Sequence, residues 1–562
     1  MKTYPLLSAL LMSSALMAQD STAINHAAIN ATALIERQGQ DAMETAQAGL
    51  DQKPESATEA LKSSAINYQQ PSEQAEAVKF TLKAINYEPA SQLIPAQRLS
   101  QITARYTNRP ISFNDLQRLR VDLINVYHEL GYTLSIAAIP PQRLENQTLR
   151  IQLVESKVKE IRYEGNTYLR DSYFDRHVGS LRERYFNIRQ LEEKLTRFNH
   201  ISKMSMVAKS TASEAFGYSN LRFQVYEPDR YRATATIDNN GTERLGKWRY
   251  MANFSMFSPG GRVDDNVLIG TSQSEGSNSW YALYEAPVNT LGTRASISGT
   301  IGRTKVANGT GSDLDIKGES HTFNAEVTHP LYISGNATLE ASLSFRHSSS
   351  ESFFVGEYLD DSSRHSVTLG LEGTLLDSGG KWYGYAKLTS GRADRFDAPD
   401  QSYFIFSAFG QRTVKLDKHS NLNVWIGGQW ADQYDIPSGE SYFIGGPSSV
   451  RGYEDGAAIG ASGASMQAEW TTMPFRYLEL EQDYTLNQLG FSLFADLGTL
   501  KTYQGIDRGV QAEYFSALGA KLTYFPIPNL LLSLSYAEPL KFDDVIYNER
   551  NWSFSAQYSH SF

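Results

Sequence analysis

The residues with the clearest chemical potential are one arginine and two carboxylates in the second half of the chain. Arg451 lies in a glycine-rich segment, whereas Glu469 and Asp496 lie on segments in which polar and apolar residues alternate. Only arginine can offer a carboxylate two parallel hydrogen bonds from a planar fork. If the glycine-rich segment folds inward, Arg451 can supply the partner that an inward-facing Asp496 needs, and Glu469 is a candidate second partner. Both a structural anchor and a gating role fit this pair.

Other common reaction centres are missing from the sequence. The 10 histidines include no HExxH motif, and the absence of cysteine removes thiolate metal sites and thiol nucleophiles. Gly379-Gly380-Lys381 lacks the spacing of a phosphate-binding loop and fits a hairpin turn. We therefore expect no enzyme activity, no metal and no cofactor.

Composition narrows the fold to two classes. The 562 residues have a net charge of −10, which argues against nucleic-acid binding because phosphates require clustered cations. After the N-terminus, no apolar run reaches the roughly 18 residues of a membrane helix. The 32 Tyr, 26 Phe, 7 Trp and 41 Gly suit the aromatic girdles and tight turns of a membrane β-barrel. A soluble β-rich protein and an outer-membrane barrel both remain.

From residue 230 onward the hydrophobic pattern has a period of two, which is typical of strands with two different faces. In residues 489–496, Leu493 belongs to the apolar face and Asp496 to the opposite, inward face. Sixteen segments follow this pattern: 230–238, 249–257, 263–271, 280–286, 294–303, 321–329, 337–346, 365–375, 382–390, 403–415, 421–431, 464–473, 489–496, 514–524, 530–537 and 552–562.

The connections between these segments differ in length in a regular way. Odd-numbered connections are mostly long, such as 347–364 and 432–463, and even-numbered ones are mostly short, such as 258–262 and 376–381. Long loops at one rim and tight turns at the other are typical of bacterial outer-membrane barrels. The pattern therefore predicts a transmembrane barrel of 16 antiparallel strands over residues 229–562.

The N-terminal 75 residues divide into three segments. Residues 1–18 have one cation, an apolar stretch and small residues at the end, which indicates a signal peptide more than a buried helix. Residues 19–49 are predicted to form a mostly polar helix whose narrow apolar stripe suits a water-filled cavity. That stripe consists of Ile24, Ala28, Ala31 and Ile35. Residues 50–75 are a polar tether.

Residues 76–228 have the pattern of two compact α+β domains, 76–156 and 157–228. In the first, residues 78–85 are predicted as a strand and residues 113–130 as a helix. The second repeats this order, with a helix predicted over residues 188–198.

Two motifs resemble those of the Omp85 superfamily. Val450-Arg451-Gly452-Tyr453 is similar to its VRGY/F motif, and the segment Phe494, Ala495, Asp496, Leu497 and Gly498 is similar to its FxDxG motif. In that superfamily, an inward-folded loop presents its arginine to an aspartate on the wall of a 16-stranded barrel.

Further residues resemble the first POTRA domain of two-partner secretion transporters, the TpsB branch. They are Gly131, Tyr132, Pro140, Pro141 and Gln142. Asn146-Gln147 departs from the glycine that is usual before the last strand of that domain. The order of helix, tether, two domains and barrel is similar to that branch over nearly the whole chain.

This resemblance implies an outer-membrane transporter that secretes a large exoprotein without ATP. The POTRA domains would lie in the periplasm and bind the unfolded cargo, and residues 19–49 would be a plug helix in the barrel lumen. We expect a monomer, in contact with outer-membrane lipid, whose cargo is an adhesin, a haemolysin or a contact-dependent growth inhibition toxin. An assembly factor for outer-membrane proteins is the alternative within the superfamily. A passive porin and an outer-membrane hydrolase are the alternatives outside it.

Overall fold

The computed structural model describes residue 37 and residues 79–309, 312–355, 357–395, 398–473, 488–503, 510–527, 529–540 and 549–562. The predicted signal peptide and tether lie outside the described residues, as does the predicted plug helix apart from Arg37. The chain has two compact units, one within residues 53–228 and one containing residues 229–562. Among the described residues, no helix is both long and apolar enough to cross a membrane.

The first α+β domain packs two helices on a three-stranded sheet of order β2-β5-β4, beside a small β1-β3 ladder. Its elements are β1 (Lys79–Thr81), β2 (Ala84–Tyr87), α1 (Ala96–Tyr106), β3 (Pro110–Ser112), α2 (Phe113–Glu129), β4 (Ile136–Ala138) and β5 (Thr148–Val154). Helix α2 begins at Ser112, which forms a capping box with Asp115. Leu119 and Leu123 of α2 are fully buried in the core beside Ile151 of β5.

The second domain repeats the first with a sheet of order β6-β8-β7, in which β6 is parallel to the central β8. Its elements are β6 (Lys157–Glu164), α3 (Asp171–Val178), α4 (Ile188–Ile201), β7 (Ser205–Ala212) and β8 (Tyr218–Tyr226). Asn187 caps α4 and also donates to the Leu130 carbonyl of the first domain. The cap of one domain therefore fastens it to the other.

A glutamate just after the last strand stabilises each of these domains. Glu155 accepts hydrogen bonds from the backbone N–H of Gln92 and Leu93 and from the Tyr127 hydroxyl. Burial raises the pKa of Tyr127, which keeps its hydroxyl a donor at neutral pH. Glu227 holds the equivalent loop of the second domain, as described below. In each domain the carboxylate accepts hydrogen bonds from several backbone N–H groups of one loop, and these bonds fix the loop although it has no regular secondary structure.

The structure corrects several expectations for residues 76–228. The strand predicted over residues 78–85 is two short strands, β1 and β2, because Leu82 turns into the core between them. The predictions over residues 113–130 and 188–198 correspond to α2 and α4. Helices α1 and α3 were missed by the hydrophobic pattern, since few of their residues are buried: Ile102 and Tyr106 in α1 and three residues in the short α3.

The larger unit contains a closed barrel of 16 antiparallel strands, in which β28 pairs with β9. The strands are β9 (Tyr231–Asp238), β10 (Arg249–Phe257), β11 (Asn266–Gln273), β12 (Ser277–Pro287), β13 (Arg294–Lys305), β14 (Lys317–Ile333), β15 (Ala337–Phe354), β16 (Glu357–Asp377), β17 (Gly380–Arg395), β18 (Ala398–Lys415), β19 (Ser420–Ala431), β23 (Ser462–Thr472), β24 (Leu489–Tyr503), β25 (Val510–Ile527), β26 (Leu530–Pro539) and β28 (Trp552–Ser561). Short strands lie between them: β20 (Tyr442–Ile444), β21 (Gly452–Tyr453), β22 (Ala458–Gly460) and β27 (Glu549–Arg550).

The predicted fold class is confirmed, because each of the sixteen predicted segments is a strand of the closed barrel. The long connection expected at 347–364 is wrong: β15 continues to Phe354 and β16 begins at Glu357. Beyond the apolar band both faces of these strands are polar, so the period-two signal vanishes although the ladder continues. Strands β14 to β18 consequently have 16 to 21 residues, whereas β9 to β11 have 8 or 9.

The two faces of the barrel differ as the alternation predicts. On β24, Leu493 and Leu497 are about half exposed, at 48% and 55%, while Phe494 and Asp496 are buried. The outer face carries large apolar and aromatic side chains on all sides, among them Phe254, Trp280, Ile301, Phe323, Leu343, Val367, Leu388, Phe406, Ile426, Trp470, Leu518 and Trp552. An exposed apolar band of this kind is suited to lipid.

Replacing Glu227 tests the carboxylate that closes the second domain. Its side chain accepts from the amides of Thr167, Tyr168 and Leu169 at 2.6, 2.8 and 3.0 Å. In Glu227→Ala these amides lose their acceptor, and we expect faster hydrogen exchange there, with a loss of about 1.5–3 kcal/mol in the unfolding free energy of the domain. Exchange mass spectrometry on the purified full chain measures this effect. Glu160→Ala, at a solvent-exposed pair with Arg162, is the control and should leave exchange unchanged.

Candidate functional site

The segment between β19 and β23 folds into the barrel lumen, and we call residues 432–461 the inward loop. The sequence analysis expected this connection over 432–463, and the first two residues of β23 account for the difference. Strands β20 and β22 pair to form its hairpin. Val450 and Tyr453 of the loop are buried against Leu500 of β24 and Phe515 of β25. A long loop that buries apolar side chains against the wall is part of the packed interior and not a solvent-exposed surface loop.

Arg451 makes the central contact between the inward loop and the wall. Its Nε and NH2 atoms donate to the two carboxylate oxygens of Asp496, each at 2.7 Å, and its backbone N–H donates to the same carboxylate at 3.0 Å. The side chain of Arg451 is 12% exposed and that of Asp496 is fully buried. This is the bidentate geometry that only arginine provides. Removing one partner of a buried ion pair leaves the other charge buried without a partner, which lowers the unfolding free energy by about 3–5 kcal/mol.

Glu469 joins this pair and brings a second cation with it. Its Oε2 accepts from Arg451 NH1 at 2.5 Å, and its other oxygen accepts from Lys521 Nζ of β25. Two cations and two carboxylates therefore form one alternating, charge-balanced chain across β23, β24 and β25. Lys521 was missed by the sequence analysis, although Leu518 and Leu522 on the outer face of its strand place it inward.

Two aromatic residues of the motifs complete the packing around the ion pairs. Phe494 presents its ring to the Arg451 guanidinium at 3.5 Å from the ring centroid, a cation–π contact. Tyr453 meets Phe515 edge to face, with centroids 5.3 Å apart. Both aromatic rings are nearly inaccessible to solvent. They shield the charges from water, which strengthens the ion pairs.

Glycine is required at two motif positions for different reasons. Gly452 has φ of +91°, a conformation that side chains rarely adopt. A Cβ at Gly498 would lie 2.8 Å from Val450 Cγ2 and 3.1 Å from Ile444 Cδ1. The wall glycine therefore makes the space into which the inward loop packs.

A second group of ion pairs, which sequence analysis missed, ties the inward loop to the region where the barrel closes. Glu454 pairs with Arg550 at 3.2 Å, and Asp455 pairs with Arg249 at 3.6 Å. Gly452 and Tyr453 also form a two-residue ladder with β27. The two acidic residues directly after the VRGY motif were the available signal. The loop thus bridges the wall at β23–β25 and the region where β28 meets β9.

The POTRA motif residues have structural roles in the first domain. Gly131 follows α2 at φ +90°, where a Cβ would collide with Asn187. Tyr132 donates its backbone N–H to the Tyr127 carbonyl. Pro140 and Pro141 follow β4, and Gln142 donates to the Arg150 carbonyl at 2.7 Å and accepts from the Arg150 N–H at 2.8 Å. The Gln142 side chain therefore pairs with β5 in place of a further strand residue.

The predicted stripe of the plug helix, Ile24, Ala28, Ala31 and Ile35, lies outside the described residues. Arg37 of the same segment is described and contacts the inward loop: it donates to Ser448 Oγ at 3.0 Å and lies over the Phe443 ring at 4.7 Å. Within the ranges that the structure covers, no cluster of three or more His, Asp or Glu suits a metal ion.

Together these features define the class of protein. A closed 16-stranded barrel with an apolar outer band and an arginine loop fixed inside it, in one chain with two POTRA-like α+β domains, has the architecture of an Omp85-type outer-membrane protein. The sequence profile of the haemolysin secretion/activation proteins ShlB/FhaC/HecB matches residues 217–521, and that of the ShlB-type POTRA domain matches residues 80–156. The chain belongs to this family of two-partner secretion transporters. It resides in the outer membrane with its POTRA domains in the periplasm, and the family works with an exoprotein partner.

Individual relatives agree with this assignment. The heme/hemopexin transporter protein HuxB of Haemophilus influenzae is 25% identical over 487 residues, which cover 83% of this chain and 84% of HuxB. The outer membrane transporter CdiB of Escherichia coli is 22% identical over 463 residues, 76% of this chain and 72% of CdiB. The solved structure of CdiB from Escherichia coli has the same fold, with a TM-score of 0.63 at 17% identity over 94% of this chain and 98% of that one.

The close packing at Gly498 generates a prediction with a matched control on the same strand. In Gly498→Ala the new methyl group would press on Val450, and we expect the inward loop to shift at a cost of about 1–3 kcal/mol. Amide exchange over residues 445–455, measured on the protein in detergent, should accelerate. Gly490→Ala, whose Cβ would meet nothing nearer than 3.6 Å, should leave that exchange unchanged. Equal exchange in both variants would contradict the role assigned to Gly498.

Proposed function

We propose that this transporter exports one large, unfolded exoprotein without ATP, with the barrel lumen as its route. The observation that carries this proposal is the buried contact of Arg451 with Asp496 and Glu469, which holds the inward loop across the lumen. A lumen that is closed by a loop and can be reopened suits the occasional passage of a polypeptide. Folding of the exoprotein outside the cell would bias its movement outward.

The two POTRA domains, proposed to span residues 76–156 and 157–228, are the receptor for the cargo. An exposed sheet edge can receive an extended segment as an additional strand, whose main-chain hydrogen bonds do not depend on sequence. The sheets of order β2-β5-β4 and β6-β8-β7 have such edges. We propose that one copy of the chain is sufficient and that it has no enzymatic activity.

The cargo is proposed to be an adhesin, a haemolysin or a contact-dependent growth inhibition toxin. CdiB, described as an outer membrane transporter, and HuxB, described as a heme/hemopexin transporter protein, are relatives of this chain. An exoprotein concerned with heme or hemopexin is the second cargo class, because HuxB matches with higher identity and over more of the chain.

Two other functions fit the chain less well. An assembly factor for outer-membrane proteins usually has three or more POTRA domains, and residues 76–228 accommodate two. A passive porin or an outer-membrane hydrolase has no use for two periplasmic domains or for an arginine loop packed across the lumen.

The N-terminal segments are proposed to be a signal peptide (1–18), a lumenal plug helix (19–49) and a linker (50–75). The contact of Arg37 with Phe443 and Ser448 of the inward loop supports a position of the second segment inside the barrel. A plug in that position would have to leave before cargo passes.

Replacing Arg451 tests the route through the lumen. In Arg451→Ala the carboxylates of Asp496 and Glu469 lose their shared partner, so we expect secretion of the exoprotein encoded beside the gene to fall about tenfold or more. Secretion is measured as cargo at the cell surface and in the medium. Barrel insertion, followed by heat-modifiability on gels, should remain normal. Arg303→Ala, an outer-surface pair with Glu319, is the control, and normal secretion by Arg451→Ala would show that the motif is dispensable.

Deleting residues 19–75 tests the plug. The lumen of the shortened chain should conduct ions more freely, so single-channel conductance in a planar bilayer should rise above that of the full chain. Conductance equal to that of the full chain would remove the plug from the mechanism while leaving the transport function itself untested by this measurement.

A further inference from the structure

The inner surface of the barrel is unevenly built, and β15 shows this most clearly. Leu343 and Phe345 of this strand face outward and are 56% and 43% exposed. The alternate residues from 342 to 352 face the lumen, and apart from Arg346 they are serines: Ser342, Ser344, Ser348, Ser350 and Ser352. At about 3.4 Å per residue this row is roughly 34 Å long, and it continues beyond the apolar band of the barrel.

The neighbouring strands continue this surface sideways. Thr322 of β14 is hydrogen-bonded to Ser348 of β15 at 2.8 Å, and Thr368 of β16 to Thr389 of β17 at 2.8 Å. We call the inward-facing serines and threonines of β13 to β18 the hydroxyl wall. One member from each strand lines a single cavity of about 250 Å³: Ser298, Thr322, Ser344, Ser366, Thr389 and Ser407.

The inward loop also contributes to the lining of this cavity. Glu440 of the inward loop and Gln429 of β19 also line it, so the cavity lies between the hydroxyl wall and the inward loop.

We propose that the secreted polypeptide crosses the barrel in extended form along the hydroxyl wall, and not along the opposite wall at β23–β26. This inference deepens the proposed export function and rests on it. Each hydroxyl can donate to a carbonyl and accept from an N–H, so the wall meets the backbone of any sequence. Each such bond replaces one to water, and its net gain is therefore small.

The residues that line the cavity also favour weak binding, so that no segment of the cargo would stay bound there. It is lined by no aromatic residue, and aromatic rings are the side chains that bury most area in a contact. Its charges balance, with Glu326 and Glu440 against Arg346 and Lys387. A passing chain of either sign meets both attraction and repulsion. The opposite wall also borders a cavity, of about 430 Å³, but Arg451, Glu469 and Lys521 line it, so a chain there would meet the charged groups that hold the inward loop.

Cysteine cross-linking tests this route directly, because the chain contains no cysteine. The probe is the exoprotein encoded beside the gene, carrying single cysteines and a ligand-stabilised folded domain at its C-terminus that arrests it during export. Ser344→Cys and Ser298→Cys report on the hydroxyl wall. Ser533→Cys reports on the inner face of β26, and Leu343→Cys on the lipid-facing surface. We expect disulfides to the arrested cargo at the two wall positions, at least fivefold more than at the two control positions.

The outcomes separate this inference from the proposed function. Failure of the unmodified chain to export the exoprotein would overturn the function and the inference together. Export with cross-links at Ser533→Cys and none at Ser344→Cys would overturn the inference alone. Disulfides from the wall positions to a second cysteine introduced within residues 19–49 of the same chain, unchanged by cargo, would also overturn it, since the wall would then serve the N-terminal segment.

A rate measurement gives a second, independent test. Ser344→Phe adds an aromatic ring to the wall, and we expect export to slow about fivefold because the ring can hold passing segments. Ser344→Thr keeps the hydroxyl and should export at the normal rate. Equal rates for both variants, with equal barrel insertion, would contradict a sliding surface at this position.

Discussion

The fold of the lumen depends on one guanidinium group shared between two carboxylates. Arg451 reaches Asp496 on β24 and Glu469 on β23, and Lys521 on β25 balances the remaining charge. Charges buried this deeply are stable only as a complete set. The loop that carries the arginine must therefore stay packed for the set to persist. Gly498 leaves the space into which Val450 of the loop packs, and the Phe494 ring covers the Arg451 guanidinium.

The barrel and the centre of the site were predictable from sequence because both obey period two. Alternation assigned Glu469 and Asp496 to the lumen before any contact was known, and the same test on β25 would have found Lys521. Partners supplied by loops obey no such period: Arg451 was identified through its resemblance to the VRGY motif, and Arg550 was missed. Arg550 meets Glu454 only because the barrel closes between β28 and β9, a contact between residues nearly 100 positions apart.

The errors have physical causes that differ between the two units. In the POTRA domains, α1 and α3 bury too few residues for a helical period to be visible. In the barrel, β15 and β16 pair beyond the lipid, where polar residues face both sides and the ladder alone holds the strands together. Sequence patterns report burial, and these elements are stabilised by hydrogen bonds that burial does not reveal.

The unequal strand lengths have a consequence for the exit of the pore. Strands β14 to β18 have 16 to 21 residues, about twice the number needed to cross a bilayer in a tilted barrel, whereas β9 to β11 stop near that minimum. The rim of the barrel is therefore uneven, because β14 to β18 extend further than β9 to β11. A polypeptide that emerges beside the longer strands would be shielded by them from neighbouring molecules on one side and exposed on the other. Its first folded turns would form in a half-enclosed space that the transporter itself provides.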